Sequence, residues 1–221
     1  ELKKFVERIL GKSEQPGSSA DKESSQDTSY TRPSLPDGRR LYCIGDIHGR
    51  LDLLEELHEM IQVDSSGFEG SKGIVYLGDY IDRGSQSKQV LDLLIKQPLE
   101  GFEAINLLGN HEQTMLDFLE QPEAAAAWLN FGGQTTLLSY GAGLGRVQMM
   151  RQVGILRDEL EEKMPPAHLE FLNSCQLVHA EGGYCFVHAG IRPEVALEDQ
   201  KPEDLMWIRD EFIRSQEDHG F

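Results

Sequence analysis

Apolar residues fall along this chain in two alternating textures. Short unbroken runs at 41–44, 73–77 and 104–108 each stop at a glycine, and after each comes a stretch with apolar residues every three or four positions. The runs read as buried strands and the stretches as helices laid on the sheet. Helices are predicted over 50–63, with Leu51, Leu54, Leu57 and Ile61 on one face, and over 85–97, with Val90, Leu91, Leu94 and Ile95 inward. A third follows Gly109-Asn110-His111-Glu112 and runs through Leu119. This alternation predicts an α/β class with a mainly parallel sheet in this half. His58 falls on or beside an apolar helix face and is expected to be a partly buried, hydrogen-bonded histidine.

Further along, 122–166 shows no strand pattern and reads as a helical insertion near the strand ends, a place where substrate preference could be set. A helix over 166–175 then leads to a hairpin of 177–180 and 184–188 across Gly182-Gly183. At the other end, 1–11 carries Leu2, Phe5, Val6, Ile9 and Leu10 at helical spacing, and 12–37 is polar with few large apolar residues. Residues 1–40 are therefore expected to be a short helix and flexible linker, and 41–221 one folded domain.

With 221 residues and 39% apolar content, that domain can bury a sizeable core. The net charge of −17 argues against a nucleic-acid partner, since no basic stretch could neutralise several phosphates. The three cysteines are scattered, Cys43 and Cys185 inside expected core strands, so neither a disulfide framework nor a zinc knuckle is predicted. No apolar stretch approaches the ~20 residues of a membrane span and no signal peptide is visible, which points to a cytoplasmic protein without a membrane partner.

The glycines that end the strands are followed by polar residues of one kind. Gly45-Asp46-Ile47-His48-Gly49 follows the first run, and Gly78-Asp79-Tyr80-Ile81-Asp82-Arg83-Gly84 the second. Gly109-Asn110-His111-Glu112 follows the third, and the hairpin ends in His188-Ala189-Gly190. Four strand ends thus offer carboxylate, imidazole and amide donors at the carboxyl edge of the sheet, where open α/β sheets bind ligands. Mixed oxygen and nitrogen donors suit Mn, Fe, Zn or Co better than Ca or Mg. There are more donors than one metal needs, and Asp79 could bridge two ions, which together generate a hydroxide and clamp an in-line displacement at phosphorus. Arg83, between glycines and aspartates, suits a phosphate fork. The set reads as a phosphate-ester hydrolase.

The motifs GDIHG (45–49), GDYIDRG (78–84), GNHE (109–112) and HAG (188–190), in that order, resemble the phosphoprotein phosphatase family of the calcineurin-like metallophosphoesterases, its bacterial serine/threonine phosphatase-like members above all. The resemblance implies a β-sandwich flanked by helices. It places Asp46, His48 and Asp79 on a first metal, and Asp79, Asn110 and His188 on a second, Mn being the foremost candidate. It implies that His111 protonates the leaving oxygen while Asp82 orients its ring, and that Arg83, with Asn110, binds the phosphoryl oxygens. Arg209, in Trp207-Ile208-Arg209-Asp210, matches a less uniform motif for a second phosphate-binding arginine. The family draws a further metal-ligating histidine from a strand near its C-terminus. Here the sequence ends at Asp218-His219-Gly220-Phe221, before any such strand is expected, and His219 is not placed on that ligand position.

The resemblance favours hydrolysis of phosphomonoesters, with phosphoserine or phosphothreonine protein or a small phosphoester as substrate. A bis(5'-nucleosyl)-tetraphosphatase-like hydrolase is the alternative. That group resembles this one but usually has glutamine in place of His48 and asparagine in place of Asp82. A catalytically silent phosphate-binding module is the third possibility.

Overall fold

The structure, a computed structural model, describes residues 33–96, 99–123, 126–143 and 153–216. The helix expected over 1–11, most of the expected linker and His219 lie outside the described residues.

Three strands, β1 (Arg39–Ile44), β2 (Ser71–Tyr76) and β3 (Phe102–Asn106), form a parallel sheet in the order β1-β2-β3. They alternate with α1 (Leu51–Asp64), α2 (Ser87–Ile95) and α3 (Asn110–Glu120), as the apolar pattern predicts. In-register pairing sets Ile44 beside Tyr76 and Tyr42 beside Ile74 on one face, and Cys43, Val75 and Ile105 on the other. The first face packs on the helices through Leu54, Ile61, Val90, Leu91, Met115 and Phe118. On the second face Val75, Ile105 and Leu107 meet Phe186 of an antiparallel hairpin, β4 (Val178–Glu181) and β5 (Tyr184–Val187). A parallel bridge from Leu107 to Gln176 ties the approach to the hairpin onto the end of β3. The molecule is thus a mixed α/β fold, with the hairpin as the second β layer among the described residues.

Between α3 and the hairpin the described residues form a 3-10 turn (Ala126–Phe131), α4 (Gly133–Ser139) and α5 (Val153–Lys163), with α6 (Pro166–Ser174) after them. Two short helices, α7 (Pro202–Trp207) and α8 (Asp210–Ile213), follow the hairpin. Among the described residues no helix is long and apolar enough to cross a membrane.

Two expectations need correction. Cys43 is exposed, because β1 is an edge strand whose second face the narrow hairpin leaves partly uncovered. Ordered chain also begins earlier than the polar composition of 12–37 suggests: the Ser34 carbonyl accepts the Gly183 N–H (2.9 Å) and the Pro33 carbonyl the Tyr184 hydroxyl (3.2 Å). Backbone bonds to the hairpin need no apolar side chain, so composition could not show them.

The piece that fixes the strand-end loops is Glu112, in the first turn of α3 and fully buried. Its Oε2 accepts the N–H groups of Asp79 (2.7 Å) and Gly109 (3.1 Å), and its Oε1 those of Tyr80 (2.8 Å) and Ile81 (3.1 Å). Burial and the nearby Asp79 charge push its pKa up to about 8, against the pull of the Ile81 and Asp79 N–H groups. One side chain therefore ties the loop after β2 to the start of α3.

His58 is buried on α1, with Nε2 2.9 Å from the Tyr76 hydroxyl. Burial lowers its pKa to about 4 from an ordinary 6.5. The unfolded chain therefore takes up a proton that the folded one refuses. This contribution to stability is complete above pH ~6.5, and falls by up to about 3 kcal/mol as the pH drops towards 4. Acid titration of the urea midpoint should show that slope in the wild type and a flatter one in His58→Gln. Identical slopes would assign the acid sensitivity to other groups. Glu112→Ala leaves four buried N–H groups without an acceptor and should destabilise by at least ~3 kcal/mol, at roughly 1–3 kcal/mol for each unsatisfied group. Glu112→Gln, with one carbonyl oxygen, should lose part of that. A denaturation midpoint unmoved in Glu112→Ala would show that the loops hold themselves.

Candidate metal centre

The loops after β1 and β2 are joined backbone to backbone. The Asp79 carbonyl accepts the N–H groups of Ile47 and His48 (2.9 Å each), and Tyr80 that of Gly49 (2.8 Å). In return, the His48 carbonyl accepts from Gly84 (3.0 Å). The close approach reaches α3 as well, since a Cβ on Gly109 would strike the backbone nitrogen and carboxylate of Asp79. Four non-glycine residues here, His48, Asp79, Asp82 and Arg83, hold positive φ, between 46° and 72°. Such backbone costs on the order of 1–3 kcal/mol per residue and persists only where the surroundings impose it.

Asp79 is the hub of the side chains. Its Oδ2 lies 3.5 Å from His48 Nε2, and its Oδ1 3.5 Å from His188 Nε2. Asp46 Oδ2 is 3.6 Å from the same His48 nitrogen, and Asn110 Oδ1 is 2.9 Å from the same His188 nitrogen. Each imidazole has its other nitrogen on a backbone carbonyl: His48 Nδ1 on Ile81 (2.8 Å), His188 Nδ1 on Leu77 (2.7 Å). A carbonyl only accepts, so each Nδ1 carries a proton, and in the neutral tautomer that this selects, Nε2 is the nitrogen with a lone pair.

That outcome tests whether the residues fit a cation. Two imidazole lone pairs face the oxygens of Asp46, Asp79 and Asn110, acceptor against acceptor, and His48 Nε2 is buried with no hydrogen-bond partner among the described residues. Turning the Asn110 amide over would relieve one contact and leave the His48 group as it is. A divalent cation bound by both kinds of donor removes the conflict. The Nδ1-to-carbonyl bonds are also the usual outer support of metal-binding histidines. The donors fit.

His111 is the third imidazole of the cluster, and its ring atoms lie within 4.8 Å of donor atoms on His48 and Asp79. Its contacts differ in kind. Nδ1 bonds Asp82 Oδ2 (2.7 Å), and Nε2 faces a guanidinium nitrogen of Arg83 (3.2 Å). A lone pair that accepts from arginine is not open to a metal at the same time. Burial works to lower the His111 pKa, but the Asp82 bond and the charges of Asp79 and Asp82 outweigh it, and the net direction is up.

The structure therefore gathers Asp46, His48, Asp79, Asn110 and His188 around one hub, with His111, Asp82 and Arg83 beside it. Arg209 is not gathered in by any such contact: it is exposed, and its guanidinium bonds the Ile208 carbonyl (2.9 Å). Sequence reasoning missed three participants. Glu112 stands in the sequence only as part of a motif, though a glutamate at the third helical position can reach back to the N–H of the residue before the helix, as in the acidic half of a capping box. Trp128 and Thr136 lie in the insertion, and both bond Asp82.

Comparisons with known proteins identify the family of this chain. The profile of the calcineurin-like phosphoesterase family matches residues 39–219. A symmetrical bis(5'-nucleosyl)-tetraphosphatase of Methylococcus capsulatus is 31% identical over 69% of this chain and 44% of its own length. Serine/threonine-protein phosphatase 2 of Escherichia coli K12 is 36% identical over 48% of this chain and 44% of its own. A solved structure of a provisionally assigned diadenosine tetraphosphatase superposes with a TM-score of 0.50 at 20% identity, covering 75% of this chain and 57% of its own, a likeness of fold. The chain spans about half the length of the curated relatives it matches. With four motifs meeting at one donor cluster and the profile covering most of its length, this chain belongs to the calcineurin-like phosphoesterase family.

Proposed function

We propose that this chain carries the metal-dependent phosphoester-hydrolysing core of its protein, acting on small phosphoesters of the dinucleoside polyphosphate class. The observation behind hydrolysis is the set of imidazole, carboxylate and amide donor atoms converging on Asp79, which a bound cation reconciles. Asp46, His48 and Asp79 would hold one divalent ion, and Asp79, Asn110 and His188 a second. The mixed donors suit Mn first, then Fe, Zn or Co. Bound there, the ions supply Lewis acidity that activates water and charge that offsets the phosphoryl oxygens.

The chain's own groups do the rest. Arg83, exposed at the rim, offers its guanidinium to the phosphoryl oxygens. Engaging substrate draws it away from His111 Nε2, and that nitrogen, with its ring held by Asp82, is then free to take a proton from water and pass it to the leaving oxygen.

The substrate class rests on the relatives: four named symmetrical tetraphosphatases align over 69–82% of this chain, against two named protein phosphatases, at 48% and 85%. This reverses the order of substrates that the motifs alone suggested. A serine/threonine phosphatase remains the second reading, on one specific observation. The Asp82–His111 pair suits an alkoxide leaving group, which needs a proton more than a nucleotide phosphate does.

Turnover of diadenosine tetraphosphate, a phosphoserine peptide and p-nitrophenyl phosphate, each with added Mn, decides between them. The highest kcat/KM is expected on the tetraphosphate; a higher value on the peptide would install the second reading, and no turnover of any would leave a silent binding module. Arg83→Ala should lower kcat/KM at least ~10-fold, the worth of one charge-assisted bond of about 1.5–3 kcal/mol. Metal content should not change. An unaltered kcat/KM would make Arg83 a solvated surface charge.

A further inference from the structure

Asp82 is fully buried, and the contacts of its carboxylate account for both oxygens. Oδ2 accepts from His111 Nδ1 (2.7 Å) and from the indole Nε1 of Trp128 (2.8 Å). Oδ1 accepts from the Thr136 hydroxyl (2.6 Å). A hydroxyl has one proton to give, so the 3.0 Å contact between Thr136 Oγ1 and Ser87 Oγ must run from serine to threonine. The Thr136 oxygen also accepts the Asp82 N–H (3.0 Å), which clasps residue 82 from both its backbone and its side chain.

The terminal torsion of an aspartate is broad and roughly two-fold, so a carboxylate held through one oxygen swings easily. Donors on both oxygens fix its plane. With the plane fixed, the lone pair that receives His111 Nδ1–H points one way, and the opposite ring nitrogen is aimed with it. Both fixing donors come from Trp128-Leu129-Asn130-Phe131-Gly132-Gly133-Gln134-Thr135-Thr136, the part of the insertion that no motif explained. Its spacing has a steric reason. A Cβ on Gly133 would run into the Trp128 indole, so only glycine lets α4 begin against that ring and carry Thr136 to Asp82. The preceding Gly132 carbonyl takes the Arg83 N–H (3.4 Å), which places the same turn against the phosphate-binding arginine.

We propose that Trp128 and Thr136 are positioning residues that lock the Asp82 carboxylate, and through it the His111 ring, in the orientation proton delivery requires. This rests on the role given to His111 above. The brace makes the insertion part of the catalytic apparatus rather than a cap laid over it.

Two readouts on the full chain test it, one of them independent of turnover. In metal-free protein, the His111 Nδ1–H resonance should be protected from solvent exchange in the wild type and in Thr136→Ser. It should be broadened or lost in Thr136→Val and in Trp128→Phe. With Mn, the last two should lose about 10–100-fold in kcat on phenyl phosphate, the usual worth of a residue that orients a working histidine. KM should stay near its wild-type value, Thr136→Ser should recover most of the loss, and the loss should shrink on p-nitrophenyl phosphate, whose leaving group needs no proton. His111→Asn is the reference. If it loses activity while Thr136→Val keeps wild-type kcat and the protected resonance, the brace is refuted and the hydrolytic reading stands. If His111→Asn is fully active, the proton-delivery role falls, and the resonance still decides whether the ring is braced. Should Trp128→Phe fail to fold, Thr136→Val, which differs by a hydroxyl, carries the test.

Discussion

Everything at the carboxyl edge of this sheet hangs on the Glu112 carboxylate. A parallel sheet leaves its strand-end loops with backbone donors that no strand can satisfy, and burying them unpaired is costly. Glu112 accepts four at once, three of them consecutive along 79–81. That carboxylate fixes where Asp79 begins, and Asp79 is the residue on which the donor sets converge. The loop after β1 is held in turn by the Asp79 and Tyr80 carbonyls. The bracing is a chain of contacts: α3 holds the second loop, and the second and first loops hold each other.

The same frame explains how a strained backbone can sit at the centre of the site. His48, Asp79, Asp82 and Arg83 all hold left-handed conformations that L-residues avoid. Each is pinned by backbone bonds to a neighbouring segment: His48 to Asp79, Asp79 to Glu112, Asp82 to Ser87 and Thr136, and Arg83 to Gly132. Left-handed turns reverse the direction of successive side chains over few residues. Here they bring Asp82 inward to full burial while Arg83, the next residue, faces solvent.

Three histidines share the site, and their second ring nitrogens separate their chemistry. His48 and His188 donate their Nδ1–H to carbonyls, which turns Nε2 towards the carboxylates as the nitrogen a cation would take. His111 gives its proton to a carboxylate, which supports positive charge on the ring, and its outer nitrogen meets arginine. One residue type thus does two jobs, assigned by whether the partner is a neutral carbonyl or an anion.

Much of this was legible in the sequence, for a physical reason. Strands buried in a parallel sheet must be apolar, their ends must turn sharply, and chemistry collects where they end. Period and punctuation therefore located β1, β2, β3 and the hairpin to within a few residues, and with them Asp46, His48, Asp79, Asn110 and His188. What pattern could not reach were relations between segments far apart in the chain. Cys43 reads as core and is exposed, because only the width of the hairpin decides what covers an edge strand. Pro33 and Ser34 read as linker and are held through their backbone carbonyls, acceptors that every residue has. Trp128 and Thr136 carry no periodic signal of contact with Asp82, 46 and 54 positions away, since a single hydrogen bond imposes no rhythm on a sequence. The chain by itself determined which residues could do the chemistry; the tertiary structure decided how they are held, because orientation depends on partners that only folding brings within reach.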